Sequence, residues 1–467
     1  MKPTTCTLAA AVLAVAALTL LPAAPASAGD FRPDVVDDFD CDGIRDVVYG
    51  VDYETVGGAE WAGAVYVTYS TTGVEKKYTQ ASAGIPGSAE EWDQFGQTTA
   101  SYDRDGDGCD DLVVGSPGES LGPDTKAGSI HIIPGSRTGL NTAKTVSYNQ
   151  DSPGVPGSPE DYDSFGDTLA AGTTSSGKPY LLVSAPDESF DAEDEGTVYY
   201  FRDNVWRTIS QDSPGVPGSS ESFDSFGETL AVSDRYFAIG VPSESLGSDD
   251  FAGTVHVFSH TIVDGAPKHI AAVNQDTAGI SGSAEDDDEF GRSISVVSYR
   301  SSPSAAISAL LAVGTPYEDL RDNTVDQAGS AHLINVTDSG KVTQLAELTQ
   351  DTPGIPGVPG YADDLGSAVL VANRGTGSVA TPSTAVWAVA VPWEPNPGGE
   401  PGTGLPVIHL TRADKTPGDG DVLLTEADFN GYADFQNPEF DASSKTLHVT
   451  SLWGSIAERP WAELPPT

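Results

Sequence analysis

Two nine-residue stretches carry the densest chemistry in the chain. Asp38-Phe39-Asp40-Cys41-Asp42-Gly43-Ile44-Arg45-Asp46 and Asp103-Arg104-Asp105-Gly106-Asp107-Gly108-Cys109-Asp110-Asp111 share the spacing D-x-D-x-D-G-x-x-D. Alternate carboxylates on a tightly turning loop converge on one point, and Ca²⁺ takes six to eight oxygens at about 2.3–2.6 Å. Glycine at the sixth place permits the turn, the seventh residue offers its backbone carbonyl, and the ninth carboxylate closes the shell. The expected ligands are Asp38, Asp40, Asp42, Asp46 and the Ile44 carbonyl in one loop, and Asp103, Asp105, Asp107, Asp111 and the Cys109 carbonyl in the other. A plain acidic turn would leave four repelling carboxylates uncompensated.

The elements that must position these loops come from a repeat. A 17-residue phrase, in consensus Q-D-S-P-G-V-P-G-S-x-E-x-x-D-x-F-G, occurs at 80–96, 150–166, 211–227, 275–291 and 350–366, the last copy ending Leu365-Gly366. Its start-to-start spacings of 70, 61, 64 and 75 residues fit one four-stranded antiparallel unit plus connections. After each Phe-Gly a short β-rich run such as 168–171 precedes a second such as 180–184. The second run ends in a turn with a proline, as in Gly115-Ser116-Pro117 or Ser184-Ala185-Pro186. An acidic loop follows, and a glycine then opens a third strand, as in Gly63-Ala64-Val65-Tyr66 and Gly128-Ser129-Ile130-His131. A fourth run, such as 144–148, leads into the next phrase.

Four short strands between Gly/Pro turns make one twisted sheet, a propeller blade. With Phe31 lying 64 residues before Phe95 and Phe435 lying 70 after Leu365, seven starts predict an all-β, seven-bladed β-propeller. Only 33 residues remain from Phe435, so the last blade is expected to be incomplete or degenerate. Residues 445–452 resemble its second strand.

Phe-Gly, the D-x-D-x-D-G-x-x-D loop, Gly-x-Pro and Gly-x-Val-Tyr in fixed order resemble FG-GAP repeats, the blades of integrin α-subunit propellers and of their secreted bacterial relatives. The match runs from about Phe31 to Leu452. The resemblance implies that the calcium loops join the first two strands of a blade, on the face opposite the one integrins use for ligands. This chain departs from the pattern in keeping the loop in its first two blades only, and in having no leg domains.

Several other residues are absorbed by the repeat. His131, His256 and His332 stand where sister repeats have Tyr66 and Tyr199, so they are expected as packing side chains of the third strands. Glu119, Glu188, Glu244, Glu318 and Glu394 follow each turn proline by two residues and are expected to brace neighbouring blades. Glu426-Ala427-Asp428-Phe429-Asn430-Gly431-Tyr432-Ala433-Asp434 reads either as a third calcium loop or as a shortened blade linker, the second preserving the period. Cys41 and Cys109 join in a disulfide if equivalent loops approach within about 5.5 Å between Cα atoms, and stay free otherwise. The linker phrase with its acidic loops reads either as a polyvalent binding rim or as a bare connector. No G-x-S-x-G elbow, H-E-x-x-H or phosphate loop is present.

Lys2, the apolar run from Leu8 to Leu21 and Ala26-Ser27-Ala28 predict a signal peptide over 1–28, with a single propeller over 29–467, secreted and monomeric. Cys6 lies too far ahead of the cleavage site for a lipid anchor. The formal charge of −46 becomes −47 without Lys2. Such acidity excludes nucleic acid and anionic membranes as partners and favours cations, basic proteins or neutral glycans. Two function classes follow: a calcium-binding, non-catalytic module for a protein or cell-surface glycan, or an extracellular hydrolase or lyase, acting on polysaccharide or phospholipid in a propeller groove. The absence of a unique acid–base group favours the first.

Overall fold

The computed structural model describes residues 36–189, 194–321, 324–353, 355, 358–391, 407–417, 422–425, 439–442, 446–450 and 456–460. The signal-peptide segment, Phe31, Glu394, Phe435 and the 426–434 loop lie outside them. Seven antiparallel sheets run in chain order. The first holds β1 (Val47–Val51), β2 (Ala64–Tyr69) and β3 (Val74–Tyr78), and the second β4 (Thr99–Tyr102), β5 (Asp111–Ser116), β6 (Ser129–Ile133) and β7 (Val146–Tyr148). The third comprises β8 (Leu169–Thr173), β9 (Pro179–Ala185), β10 (Thr197–Arg202) and β11 (Val205–Ile209), the fourth β12 (Thr229–Val232), β13 (Tyr236–Val241), β14 (Thr254–Val263) and β15 (Ala266–Val273). In the fifth are β16 (Ser293–Tyr299), β17 (Ser308–Thr315), β18 (Ser330–Thr337) and β19 (Val342–Leu348), and in the sixth β20 (Val369–Asn373), β21 (Ala385–Val391), β22 (Val407–Arg412) and β23 (Val422–Thr425). The last has β24 (Glu439–Ala442), β25 (Thr446–Thr450) and β26 (Ile456–Pro460). Among the described residues the one helical element is a 3₁₀ turn at Thr142–Lys144, where the sequence suggested the start of a strand. No helix among them is long and apolar enough to cross a membrane.

Each sheet is a meander whose consecutive strands pair. The first strands of successive sheets, β4, β8, β12, β16, β20 and β24, lie against one another in that order, as the inner strands of propeller blades do. Apolar residues pack between neighbouring sheets and not within one: Val113, Ile130 and Ile132 meet Phe165, Leu181 and Val183, while Leu182, Val198 and Tyr200 meet Phe237, Ile239 and Phe258. Second strands are therefore covered on both faces, and β5, β9, β13 and β17 read as near-continuous apolar runs, almost every residue buried. Fourth strands are outermost, and β3 carries Val74, Glu75, Lys76 and Lys77 into solvent.

The Phe-Gly step fastens one sheet to the next. The amides of Phe95, Phe165, Phe226 and Phe290 donate to the carbonyls of Ala62, Ala127, Glu195 and Ala252 at 3.0 Å, just ahead of the preceding sheet's third strand. The following glycine amides donate back to their own second strands, Gly96 to Gly115 at 2.8 Å and Gly166 to Ser184 at 2.8 Å. Leu365 fills the same slot, fully buried, its amide on Ala328 at 3.2 Å. Close approach demands glycine opposite: Gly128 has φ +86°, and a Cβ there would lie 2.3 Å from the Phe165 amide nitrogen. The three histidines are packing residues, as expected, with ring centroids of His131, His256 and His332 at 5.3, 5.5 and 5.5 Å from Phe95, Phe226 and Phe290. Tyr199 does the same for Phe165 at 4.9 Å.

The post-proline glutamates among the described residues tie each sheet to the one before it, as expected, through the first residue of the incoming linker. Each accepts the side-chain amide of the glutamine that opens the phrase: Gln80 on Glu119, Gln150 on Glu188, Gln211 on Glu244 and Gln275 on Glu318. These glutamines are only 2% exposed. Beside each pair sits a buried aspartate of the same phrase that caps a backbone amide, such as Asp163 on Glu160 N at 2.6 Å. Burial, reinforced by these neighbouring carboxylates, pushes Glu188, Glu244 and Glu318 up to about 8, and burial with neighbouring acids pushes Asp224 and Asp288 up to about 7.

Phe165→Ala is expected to cost about 3–5 kcal/mol in urea unfolding. Gly128→Ala should cost more than the ~1 kcal/mol typical of backbone-entropy effects, and a neutral result would refute the close-approach argument. The raised carboxyls set a pH dependence. The folded state binds more protons than the unfolded one between the ordinary carboxyl value and about 8, so stability is full below about pH 4.5 and is lost as pH rises through 8. With calcium held saturating, the melting temperature should fall from pH 5 to pH 8, and Glu188→Gln should flatten that slope; a profile rising with pH would contradict the assignment.

Candidate metal centre

Both acidic loops lead into the second strand of a sheet. The second joins β4 to β5; the first leads into β1, which corresponds to β5, because Gly63 and Gly128 open the matching third strands. Their backbones turn alike. The fourth residue of each is left-handed, Cys41 at φ 56° and Gly106 at 78°, and so is the sixth, Gly43 at 85° and Gly108 at 87°. That double turn brings three carboxylates of each loop together. Ligand oxygens of Asp38, Asp40 and Asp42 lie within 4.8 Å of one another, as do those of Asp103, Asp105 and Asp107.

Backbone amides pre-shape the clusters. Asp38 accepts from the amides of Asp42 at 2.9 Å and Gly43 at 2.8 Å, while Asp103 accepts from Gly106 at 2.7 Å and Gly108 at 3.0 Å. Thr71, from the turn between β2 and β3, gives its hydroxyl to Asp42. The ninth carboxylates stand outside the two triads. Asp46 accepts from Ser70 N at 2.9 Å and Phe39 N at 3.1 Å, and Asp111 accepts from Gly135 N at 3.0 Å with Arg104 Nε 3.7 Å away. Ile44 is half exposed and Cys109 buried. Of the ten expected ligands, the structure thus gathers six carboxylates and uses the two ninth positions to tie each loop to its sheet.

A hard divalent cation fits these residues. Every gathered donor is a carboxylate oxygen, and Asp40 Oδ1 is buried with no hydrogen bond, an acceptor with nothing to accept from. Burial raises Asp38 and Asp103 above the ordinary carboxyl value, and the carboxylates next to them add to it. Asp46 goes up to about 6 by burial first, with Asp40 and Asp38 contributing. A bound cation would reverse that repulsion.

The two loops are one assembly, which their spacing in sequence did not show. Cys41 and Cys109 form a disulfide with a Cα separation of 4.6 Å, resolving the alternative left open above. Asp110 joins them again: its amide donates to the Asp38 carbonyl at 3.0 Å and its carboxylate accepts from Asp38 N at 3.3 Å. Burial, with Asp37 close by, pushes Asp110 up to about 7. Arg45 closes on Asp37 at 2.8 Å, and Ser101 of β4 gives its hydroxyl to the same Asp37. Asp37, Asp110 and Thr71 are the residues that pattern matching missed. The signal for the first two was adjacency, an extra Asp at each loop's edge; Thr71 left none.

At the other end of the sheets, the connections from second to third strands and the linker phrases between sheets carry exposed aromatic rings. Trp61 and Trp92 stack at 5.2 Å and 15°, with Tyr53 edge-on to Trp61 at 6.1 Å. They remain 38% and 43% exposed on left-handed backbone, φ 57° and 74°. Tyr162, Phe223 and Phe251 are likewise exposed and left-handed, Tyr162 under the Lys126 ammonium at 5.9 Å.

Comparison with known proteins agrees on the repeat. No curated protein sequence matches the chain. Among solved structures, a protein from Lactobacillus plantarum is 12% identical, covers 90% of this chain and 94% of its own, and has a TM-score of 0.43. A putative 6-phosphogluconolactonase from Bacteroides uniformis is 10% identical over 90% of this chain and 95% of that one, TM-score 0.42. Sqt1 of Saccharomyces cerevisiae is 12% identical over 75% and 68%, TM-score 0.36. Residues 95–133 match the FG-GAP repeat family. That span begins at the Phe95 clasp, includes the whole second acidic loop and ends with β6, and it is as an FG-GAP repeat that this part of the chain is identified.

Proposed function

We propose that the chain is a secreted, calcium-stabilised FG-GAP propeller of the integrin α-like kind, a non-catalytic module that binds a protein or a cell-surface glycan. The observation that carries this reading is the pair of convergent carboxylate triads with the orphaned Asp40 Oδ1. Calcium would be held by Asp38, Asp40 and Asp42 in one loop and by Asp103, Asp105 and Asp107 in the other. It would supply positive charge to a crowded acidic corner and no chemistry beyond that. Seven sheets, with first strands side by side, support a seven-bladed ring closed between the last sheet and the first. The Cys41–Cys109 pairing supports export to an oxidising compartment, in keeping with the leader-like 1–28 segment.

Ligand capture is assigned to the end of the sheets away from the calcium loops. In an antiparallel meander the connections from first to second and from third to fourth strands share one end, and those from second to third share the other. The acidic loops lie at the first end, while Tyr53, Trp61 and Trp92 lie at the second, an amphipathic aromatic surface of the kind that anchors interfaces. The raised-pKa carboxylates are buried and repeat from sheet to sheet as linker clasps, which supports binding over catalysis.

Chelator-stripped protein is expected to take up two calcium ions in a titration and to melt higher when loaded. Asp42→Ala and Asp107→Ala should each lower the melting temperature in calcium and leave it unchanged in chelator; equal losses in both would mean the side chains act without metal. The disulfide closes a loop with a sequence separation of 68, worth about 4 kcal/mol by chain entropy. Cys41→Ser is expected to lose stability of that order and to weaken calcium at both loops together. Weakening at one loop alone would show that they bind independently.

A further inference from the structure

The calcium-loop end of the third, fourth and fifth sheets carries the opposite chemistry. Turns equivalent to the acidic loops, 174–178 and 233–235 and the one beginning at Arg300, line a cavity of about 560 Å³ together with the hairpins of their third and fourth strands. Arg202, Arg235, Lys268 and Arg300 all face it. The chain has 23 basic residues against 69 acids, so four in one cavity reverse the local sign of the surface.

Their pairing is incomplete. Arg235 has Asp234 at 3.9 Å, Arg202 has Asp203 at 3.5 Å, and Lys268 reaches only the main-chain oxygen of Asp338 at 3.4 Å. Asp338 itself accepts the Tyr236 hydroxyl at 2.7 Å. The Nε atoms of Arg202, Arg235 and Arg300 are buried without a hydrogen bond, and Arg300 has no ion pair among the described residues. His260 adds no charge, because burial pushes it down to about 4; its Nε2 meets the Ser233 carbonyl at 2.9 Å. Asp234 and Asp338 are the carboxylates among the lining residues, and Asp203 beside Arg202 is shared with Lys178 at 3.0 Å, so cations outnumber carboxylates around the cavity.

We propose that this cavity is a binding site for a sugar bearing a single carboxylate, of the uronic acid class. A guanidinium is a planar fork of fixed donors that matches a carboxylate in two parallel hydrogen bonds, and three guanidinium groups line this one cavity. Ser175, Ser176 and Thr261 at the rim, with the Asp234 and Asp338 carboxylates, provide the donors and acceptors that ring hydroxyls need. The volume falls in the range of small-molecule sites, roughly 300–1,000 Å³. The site faces away from the Trp61–Trp92 surface and is independent of the binding role assigned to it.

The test is a titration of the full calcium-loaded chain by calorimetry with D-glucuronate, D-glucose, inorganic sulfate and inorganic phosphate. Saturable glucuronate binding that glucose does not reproduce, that sulfate and phosphate match at least tenfold more weakly, and that weakens with added NaCl is the expected result. Arg300→Ala should reduce the affinity at least tenfold, Arg300→Lys should not restore it, and Lys76→Ala, on the outermost strand of the first sheet, should leave it unchanged. Arg235→Gln provides a second variant with the same expected loss if the first does not fold. No saturation by glucuronate, equal binding of glucose, or sulfate or phosphate binding as tight as glucuronate would overturn the proposal.

Discussion

One amide, repeated from sheet to sheet, holds the sheets in series. A four-stranded meander buries only one layer per neighbour, and its inner and second strands are too apolar to stand alone, so each sheet needs the next one pressed against it. The Phe-Gly step supplies that contact at the point where the chain crosses over. The Phe165 amide reaches back to Ala127, its ring goes between the sheets onto Tyr199, and the Gly166 amide reaches forward to Ser184. Three demands meet in two residues: a large ring for the core, an amide free to face backwards, and a glycine that lets two backbones touch. Leu365 meets the same demands with a smaller side chain. The slot asks for bulk and not for aromaticity.

The clasp explains why the linker phrase is so uniform. Having committed the chain to a tight crossover, the fold must bring it in from the outermost strand of one sheet to the innermost strand of the next, over a surface with few apolar groups. Gln150 on Glu188 and Asp163 on the Glu160 amide hold that path by hydrogen bonds among buried polar groups. A buried carboxylate pair is tolerated there only because burial keeps part of it protonated at neutral pH, as the values near 8 for the glutamates indicate.

Much of this was written in the sequence because periodicity is a global signal. The five phrases gave the sheet boundaries, the Gly-x-Pro turns placed the ends of β5, β9, β13 and β17, and His131, His256 and His332 were recognised as packing residues by aligning with Tyr199. What stayed hidden depends on distances between repeats. Whether Cys41 and Cys109 could meet turned on how closely two equivalent loops approach, and a repeat length says nothing about that. The glutamates do tie one sheet to the next, but through the glutamine that opens the arriving linker, because a strand pattern shows which residues share a rim and not which way their carboxylates turn. The basic cavity was invisible for a related reason: Arg202, Arg235, Lys268 and Arg300 sit singly in four unremarkable segments.

Repetition also clarifies what has diverged. Sheets that share one clasp and one linker chemistry differ mainly in the turns at their first-to-second strand ends, which lie outside the Phe-Gly clasp. In the first two sheets that turn has become a carboxylate cradle locked to its twin by Cys41–Cys109 and by Asp110 on Asp38. In the third and fourth it has shortened to Thr174–Lys178 and Ser233–Arg235, in the fifth it keeps its length from Arg300 to Ile307 without the carboxylates, and the space between them is lined by cations. A charge of −46 makes the difference consequential: acidic loops in such a field gain from a cation that cancels repulsion, whereas guanidinium groups in the same field are the scarce element. At the opposite end the clasp fixes the backbone of Trp61 and Trp92 through the amides of Gln94 and Trp92 on the Trp61 and Glu60 carbonyls at 2.9 and 3.0 Å, so variation there falls mostly on the side chains that the fixed backbone presents.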